Sequence, residues 1–189
     1  MSIGIEIIIG AVVGLIGIGV LVYIISIYNS LIRLRRNVDK AWANIEVILK
    51  QRHDELPKLI EVCKSYMKYE KSVLEEITKL RTRWAEASTQ SEKIKISNQI
   101  SAALKTLFAV AENYPKLRAN ENFLQLQSRI SGLENELADR RELYNEFVTN
   151  YNIRIQSIPD KFVADIFKFA PVELFKVAEE EKKDVEIKL

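Results

Sequence analysis

Cysteine, histidine, proline and glycine are all scarce in this sequence. Its 189 residues include one Cys, one His, four Pro and six Gly. A single thiol excludes an intrachain disulfide and any Cys₄ or Cys₂His₂ zinc site, so neither a covalent nor a structural-metal staple supports the fold. Five of the six glycines lie before residue 20, and Gly132 is the only one beyond it. A Gly-rich phosphate loop is therefore impossible in the rest of the chain, which removes nucleotide-binding enzymes of the P-loop and Rossmann types. Neither Lys nor Arg occurs before Arg33. With 28 Lys+Arg against 26 Asp+Glu, the net charge of +2 gives no bulk attraction to nucleic acid, and none is expected as a partner.

What is present divides near residue 28. Ile7 to Ile27 is an uncharged run of 21 residues, apolar except for four Gly and one Ser. At about 1.5 Å per residue it spans roughly 31 Å, the thickness of a bilayer's hydrocarbon core. A cleaved signal peptide would want a basic leader, a shorter apolar core and a small-x-small cleavage site. The leader here is acidic at Glu6, and Tyr28-Asn29-Ser30-Leu31 offers no such site. Residues 1–27 are therefore expected to be an uncleaved transmembrane anchor. Arg33, Arg35, Arg36 and Lys40 follow the run, and this bias places the C-terminal side in the cytoplasm with a very short N-terminus outside. Absence of an Asn-x-Ser/Thr sequon and the single Cys63 fit that assignment to the cytoplasmic membrane. Tyr28, Arg33, Arg35 and Arg36 are expected at the lipid interface. Gly10, Gly14 and Gly17 recur in steps of four and three and share one helix face, the arrangement of close transmembrane helix packing. Glycine is also simply common in membrane helices, so the sequence leaves this role open.

Residues 28–158 read as helix almost throughout, within a helical domain expected over residues 28–175. Leu31, Leu34, Val38, Ala41, Ile45 and Ile48 form a heptad seam, which continues through Leu56, Leu59, Cys63, Tyr66, Glu70, Val73, Ile77 and Leu80. Pro57 lies inside this run and either kinks one long helix or opens a second at its first turn. Thr89 with Glu92 makes a capping box for a helix ending before Tyr114-Pro115. Asn120 caps another, whose seam runs from Phe123 to Tyr151 and on to Ile158, where Pro159 stops it. Short links between long amphipathic helices predict an all-α fold: an N-terminal transmembrane helix followed by an antiparallel three- to four-helix bundle. An unbroken helix over residues 28–86 would extend about 88 Å and residues 92–113 about 33 Å. The membrane-proximal half of the long seam must then meet the last helix, the C-terminal segment or another copy of the protein, and an uncovered seam would argue for self-association. The stretch from Phe162 to Phe175 holds four of the seven Phe and is expected to pack on the bundle rather than dip into lipid, because Asp165 and Glu173 offset Lys161 and Lys168. Residues 176–189 read as a flexible charged tail.

Catalytic chemistry finds little footing. Di-iron bundles need Glu-x-x-His on two helices, and His53, the sole His, has no Glu at position 50. Cys63 falls on the apolar seam, ten residues from His53 and across Pro57, and reads as a small core residue. Pairs such as Glu75-Glu76 are ordinary solvated faces. Arg81-Thr82-Arg83-Trp84 reads as a helix end favoured by its cations. No catalytic residue, metal ligand or cofactor is expected. Asn113, Asn120, Glu121 and Asn122, with Gln125 and Gln127, form the one dense polar patch suited to recognition, although Asn also caps and turns chains between helices.

These residues carry a resemblance. Tyr28-Asn29, Arg35-x-Asn37-Val38, Ala41-Trp42, Arg52-x-Asp54, Leu56-Pro57, Ala111-Glu112-Asn113-Tyr114-Pro115 and the run Ala119 to Gln127 stand at the spacing of LemA family proteins. Glu134-Asn135, Arg141-x-x-Tyr144-Asn145, Tyr151-Asn152 and Pro159 continue the match, which covers residues 28 to about 175. Lys58 departs from it, standing where many members carry Asn. The resemblance implies a membrane-anchored helical protein with a short outside N-terminus and no established catalytic activity; a magnetosome membrane protein is similar to the family. Some members are encoded near membrane metalloproteases, which implies a link to envelope maintenance. The expected function is a self-associating scaffold or organiser at the membrane, contacting lipid and further copies of itself. The alternative is a tethered adaptor or regulator of another envelope protein such as a membrane protease.

Overall fold

The computed structural model describes residues 2–176, so the charged tail expected beyond Lys176 lies outside the described residues. Among those described, the regular structure is helical throughout: α1 (Ser2–Lys64), α2 (Lys71–Glu86), α3 (Gln90–Ala111), α4 (Pro115–Arg118), α5 (Glu121–Gln156) and α6 (Asp160–Ile166). The chain divides into two compact units, one of Met1–Lys40 with Glu146–Val172 and one of Ala41–Asn145 with the residues from Glu173 onward.

The first unit joins the N-terminal part of α1, the end of α5, and α6. Ile27, Leu31 and Val38 repeat at helical spacing on α1, Val148, Tyr151 and Ile155 on α5, and all are buried with Val163 and Ala164 of α6. Pro159 separates α5 from α6, as its missing N–H and fixed φ predict. Asp160 opens α6 and pairs with Arg154 Nε. The short helix closes with Lys168 at φ 58°, where Phe169 N donates to Ala164 O at 2.9 Å and Lys168 N to Asp165 O at 3.3 Å. This is a Schellman ending with lysine in the place glycine usually takes.

The second unit holds the main apolar core. Leu56, Leu59, Ile60 and Cys63 of α1 meet Leu74, Ile77 and Leu80 of α2, Ile96, Ile100, Leu104 and Leu107 of α3, Leu117 of α4, and Phe123 and Ile130 of α5. The fold decides between the two readings left open at Pro57 and corrects the length of the helix that contains it. Pro57 opens no second helix, and no single helix runs from 28 to 86. The helix continues through Pro57 because core residues flank it on both sides, and their burial outweighs one forfeited backbone bond. Reversal comes instead after Lys64, where Tyr66 N and Met67 N donate to Cys63 O at 3.0 and 2.8 Å and Met67 is buried in the turn. The chain therefore covers its own seam: Leu31, Val38, Ala41, Ile45, Ile48, Leu56 and Leu59 are all buried. An uncovered seam gives no support for self-association.

The predicted helix starts are present. Thr89 Oγ1 accepts from Glu92 N at 3.2 Å, and the Glu92 carboxylate accepts from the amides of Thr89 and Ser88, both at 3.3 Å. Asn120 Oδ1 accepts from Phe123 N at 3.0 Å at the start of α5. The single turn α4, with Pro115 at its first position, occupies what reads in sequence as a plain connection. Hydrogen bonds from the Thr89 amide and hydroxyl, then the Ser88 amide, hold the Glu92 carboxyl below its ordinary 4.5. A carboxyl whose folded pKa is depressed stabilises the fold above the unfolded value and ceases to do so as pH falls through the folded one. Glu92→Gln should therefore lower the unfolding midpoint at neutral pH and converge with the parent well below pH 4.5, as circular dichroism melts across pH will read.

Candidate functional site

Up to Val22 the apolar run of α1 is left uncovered by the other described residues, and only its end, around Ile27, is packed. From Ile7 to Tyr23 its large side chains are about half to two-thirds exposed, Leu15 at 69%. A Cβ added at Gly10, Gly14 or Gly17 would meet no atom within 4 Å. Its most apolar 18-residue window has a mean hydropathy of 2.8 and is 0% buried, whereas a core helix of such composition would be covered. By length and composition this helix can cross a membrane.

Just past that run, in the same unit, the predicted interface residues separate. Arg33 and Arg36 are exposed, and Arg33 Nε donates to Asn29 O at 3.3 Å. Arg35 is engaged instead, pairing with Asp39 at 3.3 Å and lying 5.8 Å from the Tyr151 ring centre. Burial pushes the Tyr151 phenol above its ordinary value, and the Arg35 charge pulls the other way. Tyr28 packs on Phe167 and Phe169, with ring centres 4.6 and 5.8 Å apart. Tyr151 Oη donates to Ala170 O at 3.1 Å, and Asn152 both donates to Val172 O and accepts from Val172 N, at 2.8 and 2.9 Å.

A second Tyr-Asn pair does the same in the other unit. Tyr144 Oη donates to Glu173 O at 2.9 Å, while Asn145 donates to Phe175 O at 3.1 Å and accepts from its amide at 2.8 Å. Phe175 is thereby seated beside Trp42, ring centres 6.4 Å apart, under the Arg141 guanidinium at 4.4 Å. The expected packing of the C-terminal stretch holds for Phe175, which is 1% exposed, but not for Phe162, which is 61% exposed.

The same unit contains a buried ion pair. Arg52 is 1% exposed and donates to Glu134, to Ser101 Oγ at 2.9 Å and to Ser97 Oγ at 2.9 Å. Ser101 Oγ in turn donates to the second Glu134 oxygen at 2.7 Å, so the guanidinium and carboxylate satisfy one another and both hydroxyls. The signal for this was legible and missed. Arg52 occupies the seam position four residues after Ile48 and four before Leu56, and a charge there demands a partner.

A polar cleft of about 640 Å³ opens nearby, lined by Glu55, Lys58, Glu61, Tyr66, Asn120, Asn122 and Arg129 among others. Glu55 is 4% exposed and held by Lys58 and Arg129, each at 3.3 Å. Lys58, the departure from the family pattern, thus neutralises a buried carboxylate. Asn120 Nδ2 donates to Tyr66 Oη at 3.1 Å. Of the predicted polar patch, Asn120 and Asn122 line this cleft, while Asn113 and Glu121 are exposed outside it. The chemistry available is hydrogen bonding and ion pairing. Ser65 in the cleft wall turns its hydroxyl to Glu61 O at 3.5 Å, and the one imidazole, His53, stacks on Trp84 with ring centres 5.0 Å apart. Among the described residues no group of three His, Cys, Asp or Glu could hold a metal.

Cys63 is fully buried, and burial pushes its thiol up to about 12. The thiolate is the reactive form, so Cys63 should resist maleimide in the folded protein and label only after denaturation. Mass spectrometry of the labelled protein checks this; rapid native labelling would contradict the burial.

A helical fold whose first helix begins with a long, apolar and uncovered run is that of a membrane-associated helical protein. The chain belongs to the LemA family, whose model matches residues 41–189. Protein LemA of Metamycoplasma hominis is 27% identical, covering 90% of this chain and 78% of that protein. Magnetosome proteins MamQ 2 and MamQ 1 of Paramagnetospirillum magneticum are each 24% identical over 79% of this chain, which spans 64% of their length.

Proposed function

We propose that this protein is a non-catalytic, single-pass scaffold or organiser of the cytoplasmic membrane, its N-terminus outside and its helical domain in the cytoplasm. The observation that carries this reading is the apolar run of α1, which lies uncovered with the face of Gly10, Gly14 and Gly17 open. Small residues on one face let transmembrane helices approach closely, so a second copy is the occupant proposed for it. The exposed Arg33 and Arg36 are assigned to anionic headgroups, each worth about 1 kcal/mol near such a surface. The mass of the full-length protein in mild detergent, beside a chain beginning at Tyr28 and a Gly10→Leu/Gly14→Leu variant, tests it. A defined multimer lost in both altered chains supports the scaffold; a monomer in all three rejects it. Orientation is tested separately with Tyr69→Cys, at a position 91% exposed, which an impermeant maleimide should reach only after cell lysis.

The polar cleft favours a second reading, a tethered adaptor. Its amides and its Lys58–Glu55–Arg129 ion pairs suit an extended polypeptide of another envelope protein. An adaptor would be monomeric alone and enlarge only with its partner.

A further inference from the structure

Helix α6 is too short to stand alone, yet it shows water a large apolar surface. Ile158, Phe162 and Ile166 follow one another at four-residue steps and are 75%, 61% and 70% exposed, with Phe167 beside them at 50%. The opposite side of the helix docks into its unit through Asp160, Val163 and Ala164, all at most 5% exposed. Phe162 and Ile166, four residues apart, thus share the outer side of α6 opposite the docked one, with Ile158 exposed just before the helix and Phe167 at its end. Contiguous patches of this kind on a soluble surface mark a binding face.

The depth at which α6 sits decides what covers that face. Asp160 and Arg154 line a cleft whose other wall is Tyr23, Ser26, Ile27, Ser30, Arg33 and Leu34 of α1. At the other end of α6, Phe167 packs at a tilt on Tyr28 with ring centres 4.6 Å apart. Both ends therefore lie against the turns of α1 where the apolar run gives way to the first cation, Arg33. On a helix that crosses the bilayer these turns lie at the boundary between acyl chains and headgroups. The cations of the element suit that depth. Lys161 pairs with Asp165 at 2.9 Å, and Lys168 is exposed at the closing turn, where a long side chain can reach the headgroups.

We infer that α6 and its preceding turn form a second membrane contact, in which Ile158, Phe162, Ile166 and Phe167 insert into the interfacial layer of the bilayer that α1 spans. The contact rests on the anchor reading above. It fixes how the first unit meets the membrane, which a single spanning helix leaves free to rotate and tilt.

Depth-dependent quenching tests the contact and the anchor independently. An environment-sensitive dye is attached to full-length Cys63→Ala protein carrying Phe162→Cys, Ile166→Cys, Ile16→Cys or Tyr69→Cys. The protein is reconstituted in phosphatidylcholine–phosphatidylglycerol vesicles containing lipids spin-labelled at a shallow or a deep acyl position. Position 16 should be quenched by the deep lipid, 162 and 166 by the shallow one, and 69 by neither. If 16 is quenched while 162 and 166 behave like 69, the α6 contact is wrong and the anchor stands. If 16 is unquenched, the anchor fails and the contact with it. A dry dye at 162 and 166 that neither lipid quenches overturns the contact in favour of a second protein copy covering the face.

Discussion

Arg52→Leu will destabilise the full-length protein by about 3 kcal/mol, near the low end for removing one partner of a buried ion pair. For a chain of this size that is a fall of roughly 6–12 °C in the unfolding midpoint. The reason lies in what is left behind. Glu134 loses its cation, and Ser97 and Ser101 lose the donor that both hydroxyls accept from. Glu134 is still 27% exposed, so water relieves part of the cost and the low end applies. Arg52→Leu combined with Glu134→Leu should recover most of the loss, because a matched apolar pair strands no charge. Circular dichroism melts of the protein in detergent decide the matter. A single-variant shift within about 2 °C of zero would mean that the pair contributes nothing to stability.

The second large effect concerns the C-terminal segment. Phe175→Ala removes a fully buried ring from beside Trp42 and Arg141, at a cost of about 3 kcal/mol. Beyond the ring, side-chain hydrogen bonds from Tyr144, Asn145 and Asn98 tie this segment to its unit, so the loss should appear as local release ahead of global unfolding. The Phe175 amide, which donates to Asn145 Oδ1 at 2.8 Å, reports it directly. Its hydrogen exchange should quicken about a hundredfold at position 175 in the variant, while the core amides of α3 stay protected. Asn145→Ala, which deletes the side chain that both donates to and accepts from this backbone, should act in the same direction with a smaller effect. Exchange within tenfold of the parent would show that hydrogen bonds rather than the ring retain the segment.

Several elements could be read directly from residues, and the ones that could not share a cause. Thr89 with Glu92, Asn120 before Glu121 and Pro159 after Gln156 act within one turn of chain, so their effects survive whatever the rest of the fold does. The reversal after Lys64 has no such mark. Ser65-Tyr66-Met67-Lys68-Tyr69-Glu70 contains neither Gly nor Pro, and the apolar seam runs straight across it. Pro57 carried the only breaker signal nearby, and core packing on both sides of it overrode that signal. Misplacing this one turn also created a seam too long for its partners, and with it a reason for self-association that the buried seam removes.

The polar cleft illustrates the same divide. Asn120 and Asn122 stood out in sequence as a dense polar run, yet Glu55, Lys58, Tyr66 and Arg129 join them only through the meeting of α1 with α5. Ion pairs across residues as distant as 55 and 129 leave no local pattern.

By itself the sequence determined the helical class, the apolar segment long enough for a bilayer, the charge step after it and the caps of the later helices. All of these follow from composition or from interactions a few residues apart. Only the tertiary structure decided where α1 ends, what satisfies Arg52, how the Tyr-Asn pairs hold the C-terminal segment, and which of the late phenylalanines face outward. Those outcomes depend on which distant surfaces meet, and burial on meeting outweighs the local preferences that a sequence displays.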